Sequence, residues 1–243
     1  MIDVEQMRVA QEELVDEELT SVSAAHPEVR VDKHVEVGAA VTTIVDAAKD
    51  SELVVVGSKG AGAFAAFVLG SIAHGVAHRS KSPTVLVPDG HVGTAIGRIV
   101  VGSDGSPAAQ LALQWAQREA AVWNADLDIV HVWDYPYAPT KISDLSAEEQ
   151  MERDAEALLA EAANAFANPA LAEPGRGGRV DIRLLRGSPG QTLVEAAAGA
   201  DLLVVGARGR GALRSAVLGS TSSYAIHHAV CPIAVIHAPT SDA

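Results

Sequence analysis

Gly206-Ala207-Arg208-Gly209-Arg210-Gly211 leaves an apolar run and leads towards Gly219-Ser220-Thr221-Ser222. Glycines in such a loop let the backbone take positive φ and come close to a ligand. Consecutive backbone N–H groups then form a concave anion site, and a helix starting near Ser220 adds its dipole. The hydroxyls at 220–222 supply further donors, and Arg208, Arg210 and Arg214 bring local positive charge into a chain of net charge -13. Together these parts describe a cradle for a polyphosphate. The same residues also fit a glycine-rich connector with solvated arginines. No Gly-Lys-[Ser/Thr] follows four variable residues, so the loop is not a Walker phosphate loop.

The spacing Gly-x2-Gly-x9-Gly-Ser occurs a second time, at Gly57, Gly60, Gly70 and Ser71. The two copies are offset by 149 residues, and the offset holds without a gap from Val31/Val180 to Pro83/Pro232. It pairs Asp32 with Asp181, Gly38 with Gly187 and His78 with His227. The chain is thus a tandem repeat of one unit.

The second copy reads as alternating strands and helices. Arg98 to Gly102 is a short apolar run of the kind a buried parallel strand needs. Ser106 caps a helix with Pro107 at its first position. Asp128 to Trp133 is the second strand, Tyr135 to Asp144 a loop, and Ser146 opens a long helix to about Ala167, with Glu149 in capping-box position. Arg179 to Leu185 is the third strand, followed by Gly187-Ser188-Pro189 and a helix to about Ala198. Asp201 to Gly206 is the fourth strand, and a helix to about Ala229 precedes the fifth, Cys231 to His237. Because the glycine loop follows the fourth strand and not the first, it is not a dinucleotide fingerprint. This alternation implies a parallel sheet covered on both faces.

The first copy holds only the later part of the series. Asp3 to Ala25 matches the long helix, Val29 to Val37 the third strand and Ala40 to Lys49 a helix. Glu52 to Gly57 matches the fourth strand, Gly70 to Arg79 the last helix and Pro83 to Pro88 the fifth strand. The expected domains are 1–89 (a truncated repeat), 90–97 (a linker) and 98–243 (a complete repeat). Counting back by the offset, roughly fifty residues lack counterparts in the first copy: two strands, the helix between them and a loop. Either the natural chain is longer at its start, or Val29 to Val37 pairs with the fourth strand or with another chain.

Bulk properties narrow the classes. Hydrophobic content of 48% suits a globular protein, and the acidic balance argues against a nucleic-acid surface, which needs a basic stripe. No apolar run approaches the roughly 20 residues of a membrane span, so a cytoplasmic location is the default expectation. The single cysteine, Cys231, excludes an intrachain disulfide and reads as a small core residue. His74 and His78 share a helix face at metal-ligand spacing, but no third ligand lies nearby in sequence. Trp115, Trp123 and Trp133 read as core, Trp133 lying beside the expected pocket. No nucleophile–base–acid order or carboxylate pair stands out, so the expectation is no enzyme, or at most slow hydrolysis of a bound polyphosphate.

These residues resemble the universal stress protein family in its tandem form. The resemblance rests on Gly206-x2-Gly209-x9-Gly219-Ser220, on Val101-Gly-Ser-Asp-Gly-Ser106 and on the Gly-Ser-Pro helix start at Gly187, and covers nearly the whole chain. It implies an α/β fold with a five-stranded parallel sheet in the order 3-2-1-4-5, present as one complete and one truncated repeat. It also implies adenine nucleotide at the carboxyl edge, and homodimers through the fifth strands. By that resemblance Gly102 and Asp104 lie at the nucleoside, and Val132 to Asp134 line the adenine pocket. Gly206, Ala207, Arg208, Gly209, Arg210 and Gly211 wrap the phosphates of ATP, with or without Mg2+, and Gly219, Ser220 and Thr221 meet the distal phosphates. Asp104 also fits a simple Asx-turn.

The first copy has no counterpart of Asp104 or Val132, only part of a phosphate loop. One nucleotide site is therefore expected, in the second copy, serving a stress-response regulatory module. A scaffold that binds no nucleotide is the alternative. The implied strand order also leaves Val29 to Val37 without a neighbour and one edge of Glu52 to Val56 unpaired.

Overall fold

All but one of the runs of β-branched and leucine residues read as strands form one sheet in the computed structural model, which describes residues 4–58, 69–91, 93, 95–134, 153, 156–157, 178–209 and 218–238. The chain divides into two compact units, residues 1–46 and 47–243.

In the first unit, α1 (Val4–Ala25) carries an i,i+4 ion pair between Arg8 and Glu12, and the Thr20 hydroxyl donates to the Asp16 carbonyl. Lys33 returns to Asp16, Nζ to Oδ1, at 2.7 Å. Val29, Val31 and Val37 are exposed, and residues 30–37 form no strand. The expected third strand of the first copy is thus corrected: it pairs neither with the fourth strand nor with any other described strand. A strand needs a ladder partner for its backbone groups, and among the described residues none pairs with this segment. Helix α2 (Ala40–Ala47) follows.

Among its described residues the second unit holds seven strands: β1 (Val54–Gly57), β2 (Thr84–Val87), β3 (Arg98–Gly102), β4 (Asp126–Trp133), β5 (Val180–Arg186), β6 (Leu202–Gly206) and β7 (Ile233–Ile236). The fully described helices are α3 (Ser71–Arg79), α4 (Pro107–Trp123), α5 (Pro189–Ala196) and α6 (Ser220–His228). The sheet order is β1-β2-β7-β6-β3-β4-β5. Within the second copy this is the expected 3-2-1-4-5, all parallel. The linker residues described between 90 and 97 form no regular element, and the expected helix from Ser146 and loop from Tyr135 fall largely outside the described residues, where Arg153, Glu156 and Ala157 are helical.

The two copies meet through their fifth strands. β2 and β7 run antiparallel with Thr84 opposite Val235, Val85 opposite Ala234 and Leu86 opposite Ile233. Val85 and Ala234 are equivalent positions under the repeat offset, so an approximate two-fold axis passes between them. The contact that the resemblance assigns to two chains is made within one. The expected homodimer through the fifth strands is accordingly corrected. β2 lies between β1 and β7, and β7 between β6 and β2, so neither offers an edge to a second molecule. For the same reason the structural division falls at residue 46 and not at the linker.

Two apolar clusters cover the sheet. On one face Leu86, Val100, Val130, Leu203, Val205 and Val235 pack with Ala73 and Ala77 of α3 and with Leu193, Ala225 and Ile226. On the other Ile99, Val101, Ile129, Val204 and Ala234 pack under Ala112, Leu113, Trp115 and Ala116 of α4. Cys231 is buried in the first cluster, and burial pushes its thiol pKa up. Trp133 is also buried, with the Arg186 guanidinium 5.3 Å above its ring.

At the base of the sheet Asp128 is buried and takes two charge-assisted bonds from Arg98, Nη2 at 2.7 Å and Nε at 3.1 Å. Arg98 also donates to the Ala196 and Ala198 carbonyls, and the Asp201 carboxylate accepts the amides of Gly97 and Arg98. This network pins the start of β3 to β4, β6 and the end of α5.

Candidate nucleotide site

The turn after β3 is shaped by short polar side chains. Asp104 Oδ1 accepts the Ser106 amide at 3.0 Å, closing an Asx-turn, and the Ser106 hydroxyl accepts the Ala109 amide at 3.2 Å as the N-cap of α4. Pro107 stands at the first helical position, where a missing N–H costs nothing. The same Ser106 hydroxyl donates to the Arg208 carbonyl at 3.1 Å. One serine thus ties the β3 turn to the glycine-rich loop after β6. From below, the buried His131 ring holds the turn through Nδ1, 2.5 Å from the Ser103 carbonyl oxygen.

The loop itself is fixed at both ends. The Ala207 amide donates to the Ile236 carbonyl at 2.7 Å, and the Ala207 carbonyl accepts from the Gly219 amide at 2.7 Å. The Ser222 hydroxyl, in the first turn of α6, donates to the Gly206 carbonyl at 2.6 Å. Two glycines are dictated by close approach. A Cβ on Gly206 would sit 2.7 Å from the Ala108 carbonyl carbon and 2.8 Å from the Ala109 amide nitrogen. A Cβ on Gly209 would sit 2.5 Å from Asp104 Oδ2. The loop therefore lies directly against the start of α4 and the Asp104 carboxylate.

Between these parts is a cavity of about 450 Å³. Gly102, Ser103 and Asp104 form one wall, and Val130, Val132, Val205, Pro189 and Leu193 an apolar floor. Gly206, Arg208 and Gly209 line the cavity beside Asp104, and Leu218, Gly219 and the hydroxyl-bearing start of α6 adjoin the loop. The lining thus combines an apolar floor with a carboxylate, backbone amides, hydroxyls and an arginine beside a helix N-terminus. That mix suits a ligand with a flat apolar part, hydroxyls and an anionic tail.

Of the residues singled out by sequence, Gly102, Asp104, Val132, Gly206, Arg208, Gly209, Gly219, Ser220 and Thr221 come together on this cavity. Asp134 is exposed and Ala207 is buried behind the loop as its hydrogen-bonded hinge; neither lines the cavity. Arg210 and Gly211, with Arg214, lie outside the described residues. Ser222, read as a hydroxyl donor at the helix start, also lines the cavity. Sequence reading missed Val130 and Leu193. Strand alternation would have found Val130, which shares a β4 face with Val132. Leu193 arrives by helix packing, and nothing local in the sequence marks it.

The family model for the universal stress protein family matches residues 1–88 and 95–237. The chain belongs to the universal stress protein family. Among its relatives, a universal stress protein of Mycolicibacterium smegmatis is 34% identical over 201 residues, covering 80% of this chain and 64% of the relative. Universal stress protein Rv2623 of Mycobacterium tuberculosis is 33% identical over 204 residues, covering 81% of this chain and 65% of the relative. The chain thus spans a little under two thirds of the length of these relatives. A universal stress protein of Archaeoglobus fulgidus shares the fold with a TM-score of 0.66 at 24% identity, over 99% of this chain and 82% of that one. A putative universal stress protein of Pseudomonas aeruginosa does so with a TM-score of 0.64 at 15% identity, over 91% and 78%.

Within this universal stress protein, the first copy keeps the frame of the loop. The Ser58 amide donates to the Val87 carbonyl, and the Gly70 amide to the Ser58 carbonyl, each at 2.7 Å, matching the bonds around Ala207. Lys59, Gly60 and Gly62 lie outside the described residues. Away from the cavity, the histidine pair of α3 acquires a third member from α6. The His74 ring centroid lies 5.9 Å from His78 and 5.7 Å from His227, and His78 and His227 are repeat equivalents across the two-fold axis. No group of three potential ligands among the described residues is placed to hold a metal ion.

Proposed function

We propose that this universal stress protein binds ATP, with or without Mg2+, at one site formed by its second copy, and acts as a nucleotide-dependent regulatory module of a stress response. The observation that carries the reading is a cavity that joins Asp104, the Val130–Val132–Leu193 floor and the Gly206–Gly209 loop with the α6 N-terminus. Its volume lies within the roughly 300–1,000 Å³ of small-molecule sites. Adenine occupies the apolar floor, the Asp104 carboxylate accepts from a ribose hydroxyl, and the phosphates meet the Gly209 amide, the first-turn amides of α6 and the hydroxyls of Ser220 and Thr221. The close approach of the loop to α4 supports this assignment, since it leaves amides and a helix N-terminus facing one point.

The reading gives the protein no catalytic role beyond slow hydrolysis, and places it in the cytoplasm. Calorimetric titration of the full chain with ATP tests the proposal, with Asp104→Ala alongside. One site per chain, lost or much weakened in the variant, is expected. Two equivalent sites, or full binding by Asp104→Ala, would overturn it.

A further inference from the structure

One short segment of the second copy, Ile236–His237, is bonded both to the glycine-rich loop and to the first copy. The Ile236 carbonyl, at the end of β7, accepts the Ala207 amide at 2.7 Å, and the Ala207 carbonyl accepts the Gly219 amide at 2.7 Å. His237 follows directly and is half-buried. Its ring reaches α3, where Nε2 lies 2.9 Å from the Ala77 carbonyl oxygen. Ala77 is fully buried in the apolar cluster on that face of the sheet, so this carbonyl is a fixed point. A single backbone step thus fastens the loop on one side and a helix of the first copy on the other.

The bond to Ala77 fixes the chemistry of the ring. A carbonyl oxygen only accepts, so Nε2 carries a hydrogen and donates it, and Nδ1 is the nitrogen that gains or loses a proton. Among the described residues two cationic or titratable groups act on the ring: Arg208, from the loop after β6, and His78, from α3. Burial first, and then these two neighbours, hold the pKa of His237 below 6.5, against the Ala77 bond, which raises it. His78 in turn faces His74 and Arg79, and His74 stands against His227 of α6. Of all these groups Arg208 is the one that also lines the cavity.

We propose that His237 regulates the nucleotide site by proton linkage: a polyphosphate bound beside Arg208 favours a proton on His237, and that proton in return favours the polyphosphate. The inference rests on the reading of the cavity as an ATP site. Its physical basis is charge. Arg208 by itself opposes a second positive charge on the ring, whereas phosphates beside Arg208 reverse the local sign and stabilise the imidazolium. The two effects on binding must be equal by thermodynamic reciprocity. ATP therefore raises the pKa of His237. Above both the free and the bound pKa the ring is neutral in either state and affinity is level. Affinity rises as pH falls through the bound-state pKa and levels off again below the free-state one. A charge at contact distance moves a pKa by about 1–3 units, and His237 does not itself line the cavity. A shift of about half a unit to one unit follows, or roughly three- to tenfold in affinity. The charged ring also makes the stronger bond to Ala77, so occupancy of the second copy is felt at a helix of the first.

Calorimetric titration of the full chain with ATP, in two buffers of different ionisation heat, counts the protons taken up on binding. The comparison is His237→Gln, whose amide still donates to the Ala77 carbonyl but cannot titrate. Protonation of ATP itself is common to both proteins and cancels. Wild type should take up more protons than the variant, and from about pH 8 to about pH 5.5 its affinity should rise roughly three- to tenfold further. Equal proton uptake and parallel pH profiles in the two proteins overturn the linkage and leave the site reading standing. A wild-type chain that binds no ATP overturns the site reading and the linkage with it. The melting temperature reports whether His237→Gln is folded. If it is not, the His237 Cε1–H signal of wild type, followed by NMR against pH with and without ATP, reads the same quantity. A pKa raised by ATP supports the proposal, and an unmoved one overturns it.

Discussion

Gly206 and Gly209 are both required by close approach, but they press on different things, and the difference predicts opposite phenotypes. A methyl on Gly206 meets main-chain atoms of Ala108 and Ala109 at 2.7–2.9 Å. Those atoms belong to the first turn of α4 and cannot rotate away, so β6 and α4 must separate. Overpacking of this kind costs about 1–3 kcal/mol. At about 2–4 °C per kcal/mol for a unit of this size, a middle value of ~2 kcal/mol lowers Tm by roughly 4–8 °C. A methyl on Gly209 meets only Asp104 Oδ2, the end of a side chain that can turn aside. Turning it gives up the bond from the Ser106 amide, worth about 1 kcal/mol, or roughly 2–4 °C. Its larger effect falls on ATP, because the carboxylate leaves the ribose position. With ATP held at 100 times the wild-type Kd, binding adds about 2.7 kcal/mol; a tenfold weaker site adds only ~1.4 kcal/mol. Gly209→Ala should therefore keep most of its Tm and lose about half of its ATP-induced shift, and Gly206→Ala should lose Tm outright. Differential scanning fluorimetry with and without ATP reads both. A Gly209→Ala protein with an undiminished ATP shift would refute the placement of Asp104 on the nucleotide. A Gly206→Ala protein that melts like wild type would refute the close packing of the loop on α4.

Three further outcomes follow from the packing. Ser106→Ala removes both the α4 cap and the link to the Arg208 carbonyl, so it should cost about 1 kcal/mol in urea denaturation and also weaken ATP in titration. Arg98→Met leaves the buried Asp128 carboxylate without its main partner and should cost about 3–5 kcal/mol, read as a lower urea midpoint at unchanged slope. The pKa values of His78, His227 and His237 all lie below the ordinary 6.5, lowered first by burial and then by neighbouring cationic groups, among them His74 for the first two and Arg208 for the third. A folded pKa below the unfolded one means that the unfolded chain binds protons first. Stability should thus be level above pH 6.5 and fall as pH drops below it, and Asn at 78 and 227 should flatten the Tm–pH curve.

The sequence by itself determined what local chemistry can determine. Ser106-Pro107 fixed a helix start, because a capping hydroxyl and a ring without an N–H fit nowhere else so well. The ungapped offset fixed the repeat, and the resemblance carried by the glycine motifs and by Val101–Ser106 implied the parallel order β5-β4-β3-β6-β7. The glycines and the hydroxyls at 220–222 were legible from local chemistry, whereas Asp104 and Val132 were legible through that resemblance. Leu193 was not, since it reaches the cavity only after α5 packs. Only the tertiary structure decided how the two copies join. The fifth strands carry the same apolar pattern whether they pair between molecules or within one, and chain connectivity brings β2 to β7 first. Only the structure, likewise, decided the fate of Val29 to Val37. Its residues favour a strand, but a strand exists only where another backbone completes its hydrogen bonds. The glycine loop is written twice in the sequence; among the described residues the cavity adjoins the second, where β3 and β4 stand at its side.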